Sequence, residues 1–329
     1  MEPFEYAHPN SQQEAIGLLS INWRDAAVLA GGTDLISLMK DYIVTPKRVV
    51  NIKNISELMG IHVGAQGVVI GALVTMDELL ENATIQSEFP ALTQAARGIA
   101  SLQIRSMGTV GGDLCQRPRC WYFRNGFGLL AKDENGRPLV PNGENRYHAI
   151  LGNDGPAYFV NPSSFAPALI ALGARVQLAG PKGQREVSVA DFFVNPKSDG
   201  QHENVLQPNE LLTRIIIPAA SRGLRSATYE VRHKTALDWP LASAAVALKI
   251  ESGKVRAGRI VLGHVAPIPW QANDAAKELA GKAISESSAA STAEVALQGA
   301  RPLSQNSYKV KLAKVAVKRA LLAVAKGGA

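Results

Sequence analysis

The sequence predicts an α+β fold in two units, and three observations carry that reading. The chain has 329 residues, and at about 150 residues per domain that length accommodates two cores. In the C-terminal third, apolar runs at 225–232, 242–250 and 255–264 come first and three helical stretches follow, an order that fits segregated sheet and helices and not alternating βαβ units. Further upstream, apolar runs lead twice into paired glycines followed by aspartate, at Gly31-Gly32-Thr33-Asp34 and Gly111-Gly112-Asp113.

The elements follow in order. Ser11 is placed to cap a helix whose apolar stripe is Ala15, Ile16, Leu18 and Leu19. Ala26–Ala30 reads as a short buried strand running into Gly31-Gly32, and residues 48–52 and 68–73 read as further strands. Thr75 and Glu78 make a capping box for a helix over 76–82, and Pro90 opens a helix through about Ala100. After the second glycine turn at 108–112, residues 115–157 are rich in Gly, Pro, Asn and Arg and read as a long irregular excursion. Loops of that length in a compact chain carry function or are insertions. Order returns at Tyr158–Val160, followed by a helix over 164–172 and strands at 175–179 and 212–217. Residues 219–225 read as a linker. The C-terminal strands form an antiparallel meander turned by Ser252-Gly253, and helices follow near 271–280, 288–298 and 308–325. The expected units are 1–220, divided near residue 55, and 221–329.

Charge excludes more than it suggests. The net charge is +7, yet Lys309, Lys311, Lys314, Lys318, Arg319 and Lys326 lie in one acid-free terminal stretch, and the rest of the chain carries +1. The excess is one amphipathic helix with a solvated lysine face or a partner-facing surface. Nucleic-acid binding is disfavoured, because neither an aromatic-studded basic groove nor a zinc-finger pattern accompanies it. No apolar run reaches the roughly 18 residues of a membrane span, and the first residues lack the pattern of an export leader. Cys115 and Cys120 are the only cysteines, too few for a disulfide framework, which fits a reducing compartment. The six histidines show no metal-ligand spacing.

The glycine turns carry the chemistry. Glycine lets backbone N–H groups approach an anion closely and adopt left-handed angles, and Thr33 and Thr109 add hydroxyls. Two such turns together suit a pyrophosphate. Neither matches the Walker or Rossmann glycine patterns, so those readings lose their main support. Two ordinary tight turns are the competing explanation.

Five collinear segments then make the chain recognisable: FEYAHPNSQQEAIGLL at 4–19, LAGGTDLI at 29–36, IRSMGTVGGDL at 104–114, NPSSFAPALIALGA at 161–174 and VLGHVAPIPWQANDAAKELAGK at 261–282. Over nearly its whole length the chain resembles the FAD-binding medium subunit of the xanthine dehydrogenase and carbon monoxide dehydrogenase family of molybdenum hydroxylases. The resemblance implies a PCMH-type, vanillyl-alcohol-oxidase-like FAD-binding domain of two α/β subdomains, followed by a C-terminal domain with an antiparallel sheet and helices. It further implies FAD with its pyrophosphate on two loops: Leu29, Ala30, Gly31, Gly32, Thr33, Asp34, Leu35 and Ile36, and Thr109, Val110, Gly111, Gly112 and Asp113. Ile99 and Leu212 are implied apolar flavin contacts. Asp113 stands where the family usually has Asn, and Ser164 where it usually has Asp; both are retained as candidates. Arg232 and Lys234 fall where the C-terminal domain approaches the flavin, where a cation would stabilise the reduced ring.

The same resemblance implies a small [2Fe–2S] subunit and a large molybdopterin subunit as partners, with this subunit passing electrons from iron–sulfur centres through FAD to an outside acceptor. The implied location is the cytoplasm, with export on a signal-bearing partner left open. CQRPRCWYFRNG at 115–126 resembles the loop of relatives that hold an additional [4Fe–4S] cluster. Such a cluster takes four thiolates, so two cysteines do not complete it, and Trp121, Tyr122 and Phe123 are expected to pack the loop onto the fold. The alternatives are a stand-alone oxidoreductase of the enolpyruvyl-reductase type and a scaffold subunit that has lost its flavin.

Overall fold

The computed structural model describes residues 1–99, 101–234 and 238–327. Its strands form three sheets. The first is small and parallel: β1 (Glu5–Ala7), β3 (Arg48–Asn51) and β2 (Ala26–Leu29), in that spatial order. The helix Gln12–Leu18 joins β1 to β2, and Ser11 caps it by accepting the Glu14 N–H at 3.2 Å. A second helix, Leu35–Lys40, follows the first glycine turn.

The second sheet is antiparallel, in the order β4 (Ile61–Gly64), β5 (Gly67–Gly71), β8 (Leu211–Pro218), β6 (Arg175–Gly180) and β7 (Gly183–Ser188). β5 and β8 set Val68 opposite Ile217 and Ile70 opposite Ile215. These four side chains are buried against the helices Pro90–Gly98 and Phe165–Ala171. The expected capping box is present: Thr75 accepts the Glu78 N–H, and the Glu78 carboxylate accepts the Thr75 N–H at 2.7 Å. Residues 158–160 join none of the sheets. The expected linker is packed in place, with Ser221 buried and its hydroxyl donating to the Leu172 carbonyl.

The third sheet is antiparallel: β9 (Arg225–Val231), β10 (Ala242–Glu251), β11 (Lys254–Gly263) and β12 (Trp270–Gln271), with β12 and β9 at its edges. β10 reads ASAAVALKIE and buries its first seven residues on both faces. Ala245 and Ala247 face the core of the second sheet; Ala244, Val246 and Leu248 face the helices Asn273–Leu279, Glu286–Ala296 and Tyr308–Ala325. Small side chains on the first face let a sheet lie close to the helices Pro90–Gly98 and Phe165–Ala171.

The terminal helix departs from a simple solvated lysine face. Lys309 is 1 % exposed, and its ammonium donates to the carbonyls of Tyr147, His148 and His264 at 3.2, 3.1 and 2.8 Å. Lys314 and Lys318 pair with Glu294 and Glu286 of the neighbouring helix at 2.5 and 2.6 Å.

Candidate functional site

The two glycine turns meet. Gly31 is pressed against the peptide joining Met107 to Gly108, so that any Cβ there would collide with the Met107 carbonyl oxygen. Gly111 is pressed in the same way on Ala72, where a Cβ would lie 2.8 Å from the carbonyl oxygen. Two of the four glycines therefore serve backbone-to-backbone packing. The other two differ. Gly32 has φ +74°, a region closed to most side chains. Gly112 donates its N–H to Thr109 Oγ1 at 3.0 Å, so Thr109 caps the short helix Val110–Cys115.

Two cavities open on either side of this contact, of about 230 and 610 Å³. Thr33, Asp34, Thr109, Gly112 and Gln116 line both, so the glycine turns form a waist between two chambers. The first chamber is walled by Ile99, Ile104 and Trp239, with Asp113, Ser164 and Arg232 deeper in. The second takes in Ala30, Gly31, Gly32 and Leu35, and the stacked rings of Trp23 and His202, 4.3 Å apart, lie on its wall.

Several expected residues are not on these walls. Leu212 sits opposite Leu178 in the buried face of the second sheet, 4 % exposed, and reaches neither chamber. Val110 and Gly111 are buried behind the waist, and Leu29 and Ile36 flank Gly32 outside the lining. Lys234 also lies off both linings, whereas Arg232 lines the first chamber.

The electrostatics of the first chamber centre on two buried carboxylates. Asp113 accepts from the Ser163 hydroxyl, from Gln116 Nε2 at 2.9 Å and from the Phe165 N–H at 3.3 Å. Burial pushes its pKa up to about 6, with a smaller upward push from Glu230. Its carboxylate is thus occupied by donors from the start of the helix Phe165–Ala171. Glu230 is also raised by burial, against the pull of its ion-pair partner Arg232. One Glu230 oxygen is buried with no hydrogen-bond partner among the described residues. Ser164 is 5 % exposed, with its hydroxyl 3.5 Å from His264 Nε2.

The excursion after residue 115 folds onto the site. Asp34 accepts the Arg117 N–H at 2.9 Å and Arg124 Nη2 at 2.7 Å. Trp121 and Tyr122 pack around His148 within the loop, whereas Phe123 reaches the wall of the second chamber. Cys115 lines that chamber, and Cys120 Sγ lies 3.1 Å from His148 Nε2; both are free thiols. Sequence reasoning did not find Gln116, Arg119, Trp23, His202 or Trp239. Arg119 with Trp239, and Trp23 with His202, depend on partners far away in the chain, whereas Gln116 bonds to Asp113 three residues off; the one local signal was the arginine density of RPRCWYFR.

Comparison with known proteins places this geometry. Residues 2–220 match the model of the FAD binding domain in molybdopterin dehydrogenase, and residues 227–324 match the CO dehydrogenase flavoprotein C-terminal domain. The chain is 32% identical over 322 residues to the carbon monoxide dehydrogenase medium chain of Hydrogenophaga pseudoflava, covering 97% of this chain and 96% of that one. It is 30% identical over 317 residues to an aldehyde oxidoreductase FAD-binding subunit of Escherichia coli K12, covering 95% and 96%. Among solved structures, a chain of the cyanide-inactivated Cu,Mo-CO dehydrogenase superposes with a TM-score of 0.76 at 30% identity, covering both chains fully. A chain of quinoline 2-oxidoreductase from Pseudomonas putida 86 gives 0.76 at 28%, covering 99% and 98%.

Proposed function

We propose a site and a set of partners from one premise: the chain belongs to the family of FAD-binding medium subunits of molybdenum hydroxylases, oxidoreductase complexes of the carbon monoxide, aldehyde and xanthine dehydrogenase type. In our reading FAD lies through the waist, with its pyrophosphate between the glycine turns, its ring in the first chamber and its adenosine in the second. The observation that carries this is the waist itself, because residues of both turns line both chambers. The residues present fit the group. Gly31 and Gly32 line the second chamber and Gly112 lines both, so backbone without side chains borders the waist there, and Ile99, Ile104 and Trp239 offer apolar walls to a flat ring.

Bound there, FAD supplies the electron relay between iron–sulfur centres and an outside acceptor. The chain's own residues hold it and set its surroundings. Thr33 and Thr109 present hydroxyls at the waist, and the apolar walls exclude water. Asp113, with a pKa near 6, holds or releases a proton at its carboxyl close to neutral pH. Arg232 places a cation in the ring chamber, restrained by Glu230. We assign the substrate chemistry to a large molybdopterin subunit and the iron–sulfur relay to a small [2Fe–2S] subunit. The relatives' names support this only as far as a medium chain or FAD-binding subunit of a larger complex, and a molybdenum cofactor in one CO dehydrogenase; the iron–sulfur partner follows from the family resemblance. The cytoplasm is the compartment we propose, since two free thiols fit a reducing setting. Among the described residues no helix is long and apolar enough to cross a membrane.

The test is FAD uptake by the stripped full chain. Wild type should take up one FAD, and Gly112→Val, whose first side-chain atom would already lie 2.9 Å from Thr109 Oγ1, should lose most of that uptake while keeping its circular dichroism. Failure of wild type to bind, or full binding by the variant, contradicts the site.

A further inference from the structure

The segment 117–124 belongs to no sheet and to neither glycine turn, yet it carries three arginines, of which Arg119 lines the first chamber and Arg117 the second. Two of them have close partners. Arg117 pairs with the buried Glu203. Arg124 pairs with Asp34 at 2.7 Å, and it also donates to the Arg117 and Pro118 carbonyls at 3.1 and 2.9 Å. Those last bonds curl the segment around Arg124 and fix the direction in which Arg119 leaves it. The Asp34 carboxylate is then largely used: one oxygen takes Arg124 and the other takes the Arg117 N–H at 2.9 Å.

Arg119 is left with the weakest pairing of the three. Its Nη1 lies 3.4 Å from the same Asp34 oxygen that Arg124 already holds. Its guanidinium stacks over Trp239, 4.4 Å from the ring centroid, and the side chain lines the first chamber beside the waist. Burial, and then the neighbouring Arg124 charge, pull its pKa below the usual arginine value. A planar guanidinium braced on an aromatic face, short of an anion and next to a cleft, is arranged to meet phosphate oxygens.

We infer that Arg119 is a binding residue for the pyrophosphate of the dinucleotide, presented to the waist by the 117–124 strap and held over it by Trp239. This rests on the reading that FAD runs through the waist, and it adds a cation from the excursion to a waist where the Asp34 carboxylate is already held by Arg124 and the Arg117 N–H. It also gives the excursion a role in this chain that does not depend on an iron–sulfur cluster.

The experiment compares FAD, ADP and riboflavin binding to the stripped full chain by calorimetry, for wild type, Arg119→Met and Arg119→Lys. Loss of one charge-assisted contact should weaken FAD and ADP about tenfold or more in Arg119→Met. Riboflavin, which lacks phosphate, should be unchanged. Lysine should restore part of the loss, and added salt should weaken wild-type FAD binding more than that of Arg119→Met. Unchanged FAD and ADP affinity in Arg119→Met overturns the assignment. So does an equal loss for riboflavin, which would place the guanidinium on the ring. Should Arg119→Met fail to fold, Arg119→Gln carries the same three measurements. A wild-type chain that binds neither FAD nor ADP sinks the reading of the cleft itself; a chain that binds both, indifferent to Arg119, sinks only this inference.

Discussion

Asp113 shows how much one side chain in this cleft depends on its surroundings. Its carboxylate sits against donors from Ser163, Gln116 and Phe165. Burial still outweighs them and holds its pKa up near 6, against an ordinary value of 3.8. The neighbouring charges come from several elements: Glu230 and Arg232 on the β9 side, Asp34 and Arg119 at the waist, and His264 behind Ser164. A raised folded pKa means that the folded state binds the proton more tightly than the unfolded state. The associated stability is complete below pH 3.8 and is lost as pH rises through about 6. Asp113→Asn removes that loss. Relative to wild type, the variant should gain up to about 3 kcal/mol in unfolding free energy between pH 4 and pH 7, read from denaturant melts at each pH. A difference that does not vary with pH contradicts the burial argument. The sequence marked position 113 as unusual, but two of its three donors, Ser163 and Phe165, lie about fifty residues away in the chain, where no local pattern reaches. The glycines were read as anion contacts, yet Gly31 and Gly111 proved to be where one backbone lies on another. Arg119 was invisible for the same reason as the Asp113 donors, because Asp34 and Trp239 give it its place.

At the scale of elements, the helices at Gln12–Leu18 and Met76–Glu81 were legible, and those at Leu35–Lys40 and Leu102–Met107 were not. Ser11 and Thr75 announce their helices by residue type and spacing. Leu35–Lys40 and Leu102–Met107 are six residues each; the first has no side-chain cap, and the second, though capped by Ser101, buries no side chain. The terminal helix was placed correctly at 308–325, but its lysines are not one class. Lys309 is buried on three carbonyls that belong to the 147–148 turn and to His264 at the end of β11. It ties the helix start to the excursion and to the third sheet. Lys309→Met takes the ammonium from the Tyr147 and His264 carbonyls, while the His148 carbonyl keeps Asn306 Nδ2, and should cost about 2–4 kcal/mol. Reversing the charge of exposed Glu286, the partner of Lys318, should cost far less. Equal effects in thermal or chemical melts would show that Lys309 acts as a surface charge.

For the whole molecule, the α+β class followed from grouped strands and late helices, and the architecture agrees with the family's solved chains. In the first sheet β2 and β3 were read at 26–30 and 48–52, and β1 was not, since a strand of three residues leaves little periodicity. Nor does the alanine-rich run of β10 say from sequence alone that it is covered on both faces. That double coverage matters for function. β10 shares one core with the helices beneath the first chamber and another with the terminal helices, so Arg232 and Trp239, which flank it, are held against the glycine turns rather than beside them. The cleft is therefore built by the entire chain. Its occupancy is tested most directly by a crystal structure of the FAD-loaded full chain. The account predicts pyrophosphate density at Gly32, Thr33, Thr109 and Gly112, the ring between Ile99 and Trp239, and adenine in the chamber of Trp23 and His202. Density for FAD outside the waist, or with ring and adenine exchanged, would contradict it.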